Sequence, residues 1–236
     1  MNTNLILQHE DELLDSHPYD EWGVRTGNIP GLFKEVPTPR YWVVDDFYED
    51  PDSVRSYGLM QAFWEGEGSV GLRTRKQFLF DGLKERFEQI MQRKIADHTP
   101  EGYGWYDQGI NGRFQGCTAG TKMVFHCDAQ QWAGIIYLTP DASPHSGTGF
   151  YRHRATNIRH SSQVDWASGE GDIVFNKYNH VDPTPYEKIE TVANVYNRLI
   201  IFDGKLIHSG ENYFGHDLAT SRFFQIFFFE EEPGQR

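Results

Sequence analysis

Between Ser221 and Glu230 the chain reads SRFFQIFFFE, and both alternating sets of side chains are apolar: Phe224, Ile226 and Phe228 on one, Phe223, Phe227 and Phe229 on the other. Successive side chains of a strand point to opposite faces, so a strand of this kind has to be covered on both sides. It cannot sit in a sheet with one wet face; it belongs inside a layered structure. The segment also carries Arg222, and a guanidinium entering such a strand needs an anion, because buried charge is normally paired. Two partners are open on this evidence: a protein carboxylate in a structural ion pair, or an anionic ligand.

Other strand-like runs dominate from Gly102 onward, near residues 103–116, 122–128, 133–139, 147–153, 172–177 and 198–208. Two helices are expected before them. Asp50 followed by Pro51 provides an N-cap and a first-turn proline, starting a helix through about Phe63. After Asp81, the residues Leu83, Phe87, Ile90, Met91 and Ile95 fall on one stripe at helical spacing. Early helices followed by a run of strands predict an α+β fold, mostly β: a double-stranded β-helix, or jelly roll, buttressed by the N-terminal helices. Residues 1–38, polar and broken by Gly27, Pro30, Gly31 and Pro37, read as an irregular arm, and residues 39–236 as a single jelly-roll domain. NKYNHVDPTPYEKIETV, residues 176–192, lacks clear periodicity and is expected to be a long loop over the site.

The chain has three His-X-Asp pairs. His9–Asp11 lies in the acidic N-terminal stretch, and His180–Asp182 precedes a proline where strand structure is disfavoured. The third, His126–Asp128, lies in KMVFHCD, which reads as a strand and puts Val124, His126 and Asp128 on one face, with Met123, Phe125 and Cys127 on the other. From Asp128 to His208 in LIHSGE there are 80 residues, enough for several antiparallel strands to run out and return. Two imidazoles and one carboxylate on one side of an iron(II) ion leave the opposite positions open for a cosubstrate and dioxygen. A hairpin turning near Gly215 would set residues 208 and 222 opposite each other, within reach of a ligand on that metal. A five-carbon diacid could then chelate the iron at its keto-acid end and offer its far carboxylate to the guanidinium.

On these residues the chain resembles the 2-oxoglutarate/iron(II)-dependent dioxygenases, in particular their prolyl-hydroxylase-like branch, over roughly residues 40 to 230. YWVVDDFYEDPDSVRSY resembles that branch's entry strand and first helix, FHCD its His-X-Asp strand, IIYLTP the strand that follows, and SGTGFYRH the small-residue strand after it. NRLIIFDGKLIHSG resembles the distal-histidine strand. The resemblance implies that His126, Asp128 and His208 bind Fe(II), that Arg222 and Tyr137 bind the cosubstrate 2-oxoglutarate, and that these residues serve a hydroxylase releasing succinate and CO2. Its substrate would offer an aliphatic carbon of an amino acid, a peptidyl residue or a small metabolite. Asp128 stands where related halogenases carry a small residue. The gap from His208 to Arg222 is long for the family, and the insertion from about His153 to Asn197 matches none of its segments.

A net charge of −12 opposes binding to a phosphate backbone, so nucleic acid is not an expected partner. The local basic cluster YRHRATNIRH could meet an acidic substrate or simply balance nearby acids. No run approaches the ~20 apolar residues a membrane helix needs. With only Cys117 and Cys127, no disulfide framework is possible, and a soluble cytoplasmic enzyme is expected. Trp132 reads as a substrate wall or as core, and the polar members of Tyr103, Trp105, Tyr106, Asn111, Arg113 and Gln115 could face the cavity. Two alternatives stay open: a non-haem iron oxygenase of the same fold that does not use 2-oxoglutarate, and a noncatalytic jelly-roll binding module. The sequence leaves the oligomeric state undetermined.

Overall fold

The computed structural model describes residues 41–65, 70–107, 109–175 and 180–234, which fall in one compact unit, Thr38–Arg236. The expected arm of residues 1–38 lies outside the described residues. Among the described residues, ten strands form two antiparallel sheets. The larger contains β1 (Tyr41–Val44), β2 (Phe63–Glu65), β3 (Leu72–Thr74), β4 (Arg113–Cys117), β5 (Trp132–Tyr137), β8 (Leu199–Asp203) and β10 (Arg222–Phe229), in the order β1-β8-β5-β10-β4-β3-β2. The smaller orders β7 (Tyr186–Val192), β6 (Thr148–His153) and β9 (His208–Gly210), and residue 126 bridges to the free edge of β9. From β4 onward the chain passes repeatedly between the two sheets. The result is the expected double-stranded β-helix.

β10 is the central strand that its sequence demands, paired with β4 on one side and β5 on the other. Phe223, Phe227 and Phe229 face outward into a cluster with Phe87, Trp105, Trp132, Ile136 and Ile201. Phe224 and Ile226 face inward with Ile135, Tyr137, Ile200 and Phe202, with Phe228 packed against them. The one polar residue of the outward set, Gln225, is buried with its amide satisfied: it accepts from Tyr48 Oη (2.6 Å) and donates to Phe78 O and Gly112 O (2.9 and 2.8 Å). This meets the requirement that buried polar groups find partners.

Helix α1 (Pro51–Leu59) starts as expected, the Asp50 carboxylate accepting from Ser53 N at 2.9 Å, but ends before Phe63. The residues beyond it turn into β2, which pairs with β3, two strands the apolar pattern did not reveal because each has only three residues. Helix α2 (Leu83–Met91) buries Leu83, Phe87 and Met91; Ile95 lies past its left-handed end at Gln92 and bridges to Glu231 instead. Phe87 fits against the large sheet because β5 has Gly134 there: a Cβ at that residue would lie 2.8 Å from the Phe87 ring.

Three expectations need correction. Residues 172–177 were expected as strand, yet Glu170–Val174 form a short helix, α3, whose first turn carries Glu170 and Asp172, placing acids at the positive end of the helix. Within 176–192, the expected loop, residues 186–192 are strand β7, registered on β6. Finally, residues 208 and 222 are not opposite each other in a hairpin. β9 belongs to the small sheet and β10 to the large one, and the intervening loop folds back on β4, with Ala119 N donating to Gly215 O at 2.8 Å. The insertion is also explained in part: Ile158, Val164 and Val174 pack with Phe125, Tyr151, Tyr186 and Ile207 over the small sheet's outer face. No described helix is long and apolar enough to cross a membrane.

Phe87 meets Phe47, Trp105, Phe227 and Phe229 at ring-centroid distances of 4.9–5.9 Å. Truncating a ring this enclosed leaves a cavity, so Phe87→Ala should lower unfolding stability by about 3–5 kcal/mol in urea titration. A loss below about 1 kcal/mol would mean that the helix does not depend on this contact.

Candidate metal centre

His126 and His208 come together through the backbone. His126 N donates to His208 O at 3.2 Å and His208 N to His126 O at 2.9 Å, an antiparallel bridge at the edge of the small sheet. Although 122–128 forms no continuous ladder, the expected alternation holds: Val124, His126 and Asp128 face a cavity, while Phe125 is buried on the opposite side with Met123 and Cys127 packed near it. Asp128 is anchored by its own N–H to Gly204 O at 2.7 Å. Gly204 has no room for a side chain, since a Cβ would lie 2.8 Å from Gln130 O and 3.1 Å from Asp128 Cβ.

The donor atoms of His126, Asp128 and His208 all lie within 4.8 Å of one another. Each imidazole turns Nδ1 to a backbone carbonyl two residues earlier, His126 to Val124 O (3.0 Å) and His208 to Leu206 O (2.8 Å). A carbonyl only accepts, so Nδ1 carries the hydrogen and Nε2 keeps its lone pair in the neutral ring. Both Nε2 atoms then face Asp128, at 3.4 Å from Oδ1 and 3.4 Å from Oδ2 respectively. Asp128 Oδ2 is buried with no hydrogen-bond partner. Three electron-pair donors converging on a buried point repel one another unless a cation or proton sits between them, so the set fits a divalent metal.

The titration behaviour agrees with this crowding. Burial pushes His208 down to about 4, only partly opposed by Asp128, which keeps it in the neutral, ligating form. Burial also works to lower His126, but the hydrogen bond and charge of Asp128 outweigh it and raise the ring above its usual value. Asp128 is held below the ordinary carboxylate range, its burial more than offset by the two imidazoles.

The triad opens on a cavity of about 450 Å³. Arg222, 1% exposed, lines it. Its Nε donates to Ser146 O (2.8 Å), and one terminal nitrogen donates to Gly147 O (3.1 Å) and Thr148 Oγ1 (3.4 Å). The guanidinium also packs over Phe224, its carbon 4.6 Å from the ring centroid. All these contacts are neutral; no described carboxylate pairs with it. Tyr137 stands one step back from its expected place. Its hydroxyl meets Thr148 Oγ1 at 2.8 Å, and Thr148, not Tyr137, lines the cavity. A second cavity, of about 680 Å³, shares Val124, His126, Asp128 and His180 with the first, and its wall includes Trp166 stacked on Phe175.

The other readings resolve as follows. Trp132 is core, its indole N–H donating to Glu231 Oε1 at 2.9 Å. Of the polar residues expected near 103–116, only Gln115 lines the cavity. The basic cluster does not reach it: Arg152 pairs with Glu187 and His160 with Asp203. His180, set aside for want of a rigid frame, lines both cavities; its carbonyl accepts from Phe125 N at 3.0 Å. Arg73 and Thr148 also line the cavity: Thr148 lies in the small-residue strand SGTGFYRH, where nothing singles it out, and Arg73 lies in no distinctive motif.

Residues 121–221 match the model of a family of unknown function, DUF6445. No curated protein sequence matches the chain. Similar solved structures include HygX from Streptomyces hygroscopicus with nickel, 2-oxoglutarate and hygromycin B bound, at 10% identity and a TM-score of 0.46, covering 80% of this chain and 82% of that one. A Pseudomonas putida prolyl-4-hydroxylase is similar at 12% identity and a TM-score of 0.40, covering 83% of this chain and 94% of its own. A Trichoplax adhaerens prolyl hydroxylase in complex with a hypoxia inducible factor peptide fragment is similar at 10% and 0.40, covering 97% and 94%. Likeness at this level concerns the course of the chain, and the chemistry has to rest on this chain's own residues.

A metal has to displace any proton that His126 shares with Asp128. Because Asp128 raises His126 above its usual value, protons compete for this ring at a higher pH than for an ordinary histidine, and apparent affinity for a divalent ion should fall as pH is lowered from about 8 to 6. Calorimetric titration with Ni(II) measures this; affinity independent of pH over that range would exclude His126 as a ligand.

Proposed function

We propose that this chain is an iron(II)- and 2-oxoglutarate-dependent dioxygenase that hydroxylates an aliphatic carbon of an amino acid, a peptidyl residue or a small metabolite, with succinate and CO2 as coproducts. The observation that carries this reading is the buried carboxylate of Asp128, whose two oxygens each face an imidazole nitrogen and whose Oδ2 has no hydrogen-bond partner, in a cavity that also contains a guanidinium without a described carboxylate. In it His126, Asp128 and His208 hold the metal. Iron(II) supplies the one-electron and dioxygen chemistry that side chains lack.

The protein's own part is to bind, orient and exclude water. Arg222 offers its remaining donors to the far carboxylate of the cosubstrate, a charge-assisted contact in a dry setting. The spacing supports this: Arg222 touches Thr148, and Thr148 is two residues from Phe150, the β6 residue opposite His208. Two residues of strand span ~7 Å, comparable with an extended five-carbon diacid. Tyr137 positions Thr148 and so steadies the same end. Ile135, Phe202, Phe224 and Ile226 line the walls and keep water away from the reacting centre. The carboxylate of Asp128 fills the position that a halogenating site would leave to halide.

An oxygenase that dispenses with 2-oxoglutarate would call for Arg222 to be paired with a protein acid, and none of the described acids meets it. Two results test the reading. Arg222→Gln should weaken 2-oxoglutarate binding to the Ni(II)-loaded protein by about 100-fold, since removing one partner of a buried charged pair typically costs ~2–5 kcal/mol. Arg222→Lys should fall between. Unchanged affinity in both variants would remove Arg222 from the cosubstrate site. Asp128→Ala should keep the thermal unfolding profile of a folded protein yet release no succinate from iron(II), ascorbate and 2-oxoglutarate; wild-type release by this variant would remove Asp128 from the metal.

A further inference from the structure

The cavity holds a second guanidinium that the proposed chemistry leaves unused. Arg73, on β3, sits directly across the ladder from Gln115 on β4, and both line the cavity. Gln115 Oε1 accepts from Arg73 Nε at 2.9 Å, while Gln115 Nε2 donates to Val70 O at 2.5 Å. The amide is therefore fixed from both ends and fixes the arginine in turn. Both terminal nitrogens of Arg73 are left with no partner among the described residues. Arg73 is far from fully solvated: burial lowers it to about 10, with the nearby charge of Arg113 acting in the same direction. A poorly hydrated cation on a cavity wall, with two donors that meet no described partner, suits an anion.

The charge balance of the cavity points the same way. Among its described lining residues the full charges are Arg73, Arg222 and Asp128. With a divalent metal and a dianionic cosubstrate in place, one positive charge remains. Arg222 serves the closed end, beside Thr148. Arg73 lies on β3, two strands beyond β10, with Gln115 and Phe224 between them in the same cross-strand row, so it is ~10 Å from the Phe224 backbone. Each guanidinium is also held by its own local acceptors, Arg222 by the Ser146 and Gly147 carbonyls and Arg73 by Gln115 Oε1, so the two enter the cavity from separate anchor points. A cavity of about 450 Å³ also falls in the ~300–1,000 Å³ range that holds drug-sized molecules, leaving space beside a five-carbon diacid.

We propose that Arg73, oriented by Gln115, binds a carboxylate of the primary substrate, so that the enzyme acts on an acidic molecule or acidic side chain. The proposal rests on the oxygenase reading for the identity of the second occupant, while the anion site itself rests on Arg73 and Gln115 alone.

The test uses the full chain loaded with Ni(II) and saturated with 2-oxoglutarate in the absence of dioxygen, titrated calorimetrically with matched acid and amide probes. The probes are L-aspartate with L-asparagine, L-glutamate with L-glutamine, and the same side-chain pairs within blocked tripeptides, which separates a free acid from a peptidyl one. At least one acid should bind at least tenfold more tightly than its amide. Arg73→Gln should weaken that acid by roughly 10- to 100-fold while leaving its amide, and 2-oxoglutarate, where they were. Arg73→Lys, which retains the charge, should recover part of the loss, and unfolding temperatures close to wild type verify that the variants are folded.

Two results would overturn the proposal: no acid preferred over its amide, or Arg73→Gln weakening 2-oxoglutarate as severely as Arg222→Gln does, which would assign Arg73 to the cosubstrate. Failure of the oxygenase reading looks different. Then 2-oxoglutarate does not bind the Ni(II)-loaded wild type, yet an acid preference that depends on Arg73 persists in metal-free protein and supports the anion site by itself.

Discussion

Two backbone hydrogen bonds between His126 and His208 hold the rest of the site in place. They join segments far apart in the sequence at the edge of the small sheet, and they bring the rings to a centroid separation of 4.4 Å. Once that bridge forms, the alternation of strand side chains carries Asp128 to the same face as His126, and the bond from Asp128 N to Gly204 O fixes its distance. The bonds from each Nδ1 to a local carbonyl then choose the tautomer. Thus the convergence of three electron-pair donors follows from ordinary antiparallel pairing plus two local hydrogen bonds. The electrostatic penalty of that convergence is concentrated on one carboxylate.

The two sheets divide the remaining work. The large sheet is supported from outside by α1, α2 and a dense aromatic cluster, while its inner face supplies the cavity's apolar walls and both of its guanidinium groups. The small sheet carries the histidines and is supported from behind by Ile158, Val164 and Val174. Neither sheet contains the whole constellation. The cavity lies between the sheets, and it is closed at one end where Arg222 on one reaches Thr148 on the other and the Ser146 and Gly147 carbonyls beside it.

The fold class and the three candidate metal ligands were readable because they sit in patterns with strong local consequences. The doubly apolar β10 required two covering layers, and Asp50–Pro51 announced a helix start. KMVFHCD put His126 and Asp128 on one face although no continuous ladder forms there, because extended backbone alone suffices for alternation. What escaped depended on tertiary context. The three-residue strands β2 and β3 are too short to show a period, yet β3 supplies Arg73. β7 mixes charged and apolar side chains because it is the edge strand of the small sheet, so it read as loop. Residues 170–174 contain an apolar pair that resembles strand, and only packing against Phe125 and Tyr186 decides for helix. The distance between residues 208 and 222 was misjudged for a related reason: nothing local tells a hairpin within one sheet from a crossing between two.

Gly134 lies in the middle of β5, where its missing side chain admits the edge of the Phe87 ring. A bulky ring seated in a one-residue notch acts as a peg, and a peg prevents sliding along the strand as well as lifting from it. Helix α2 is thereby pinned to one register on the back of the large sheet.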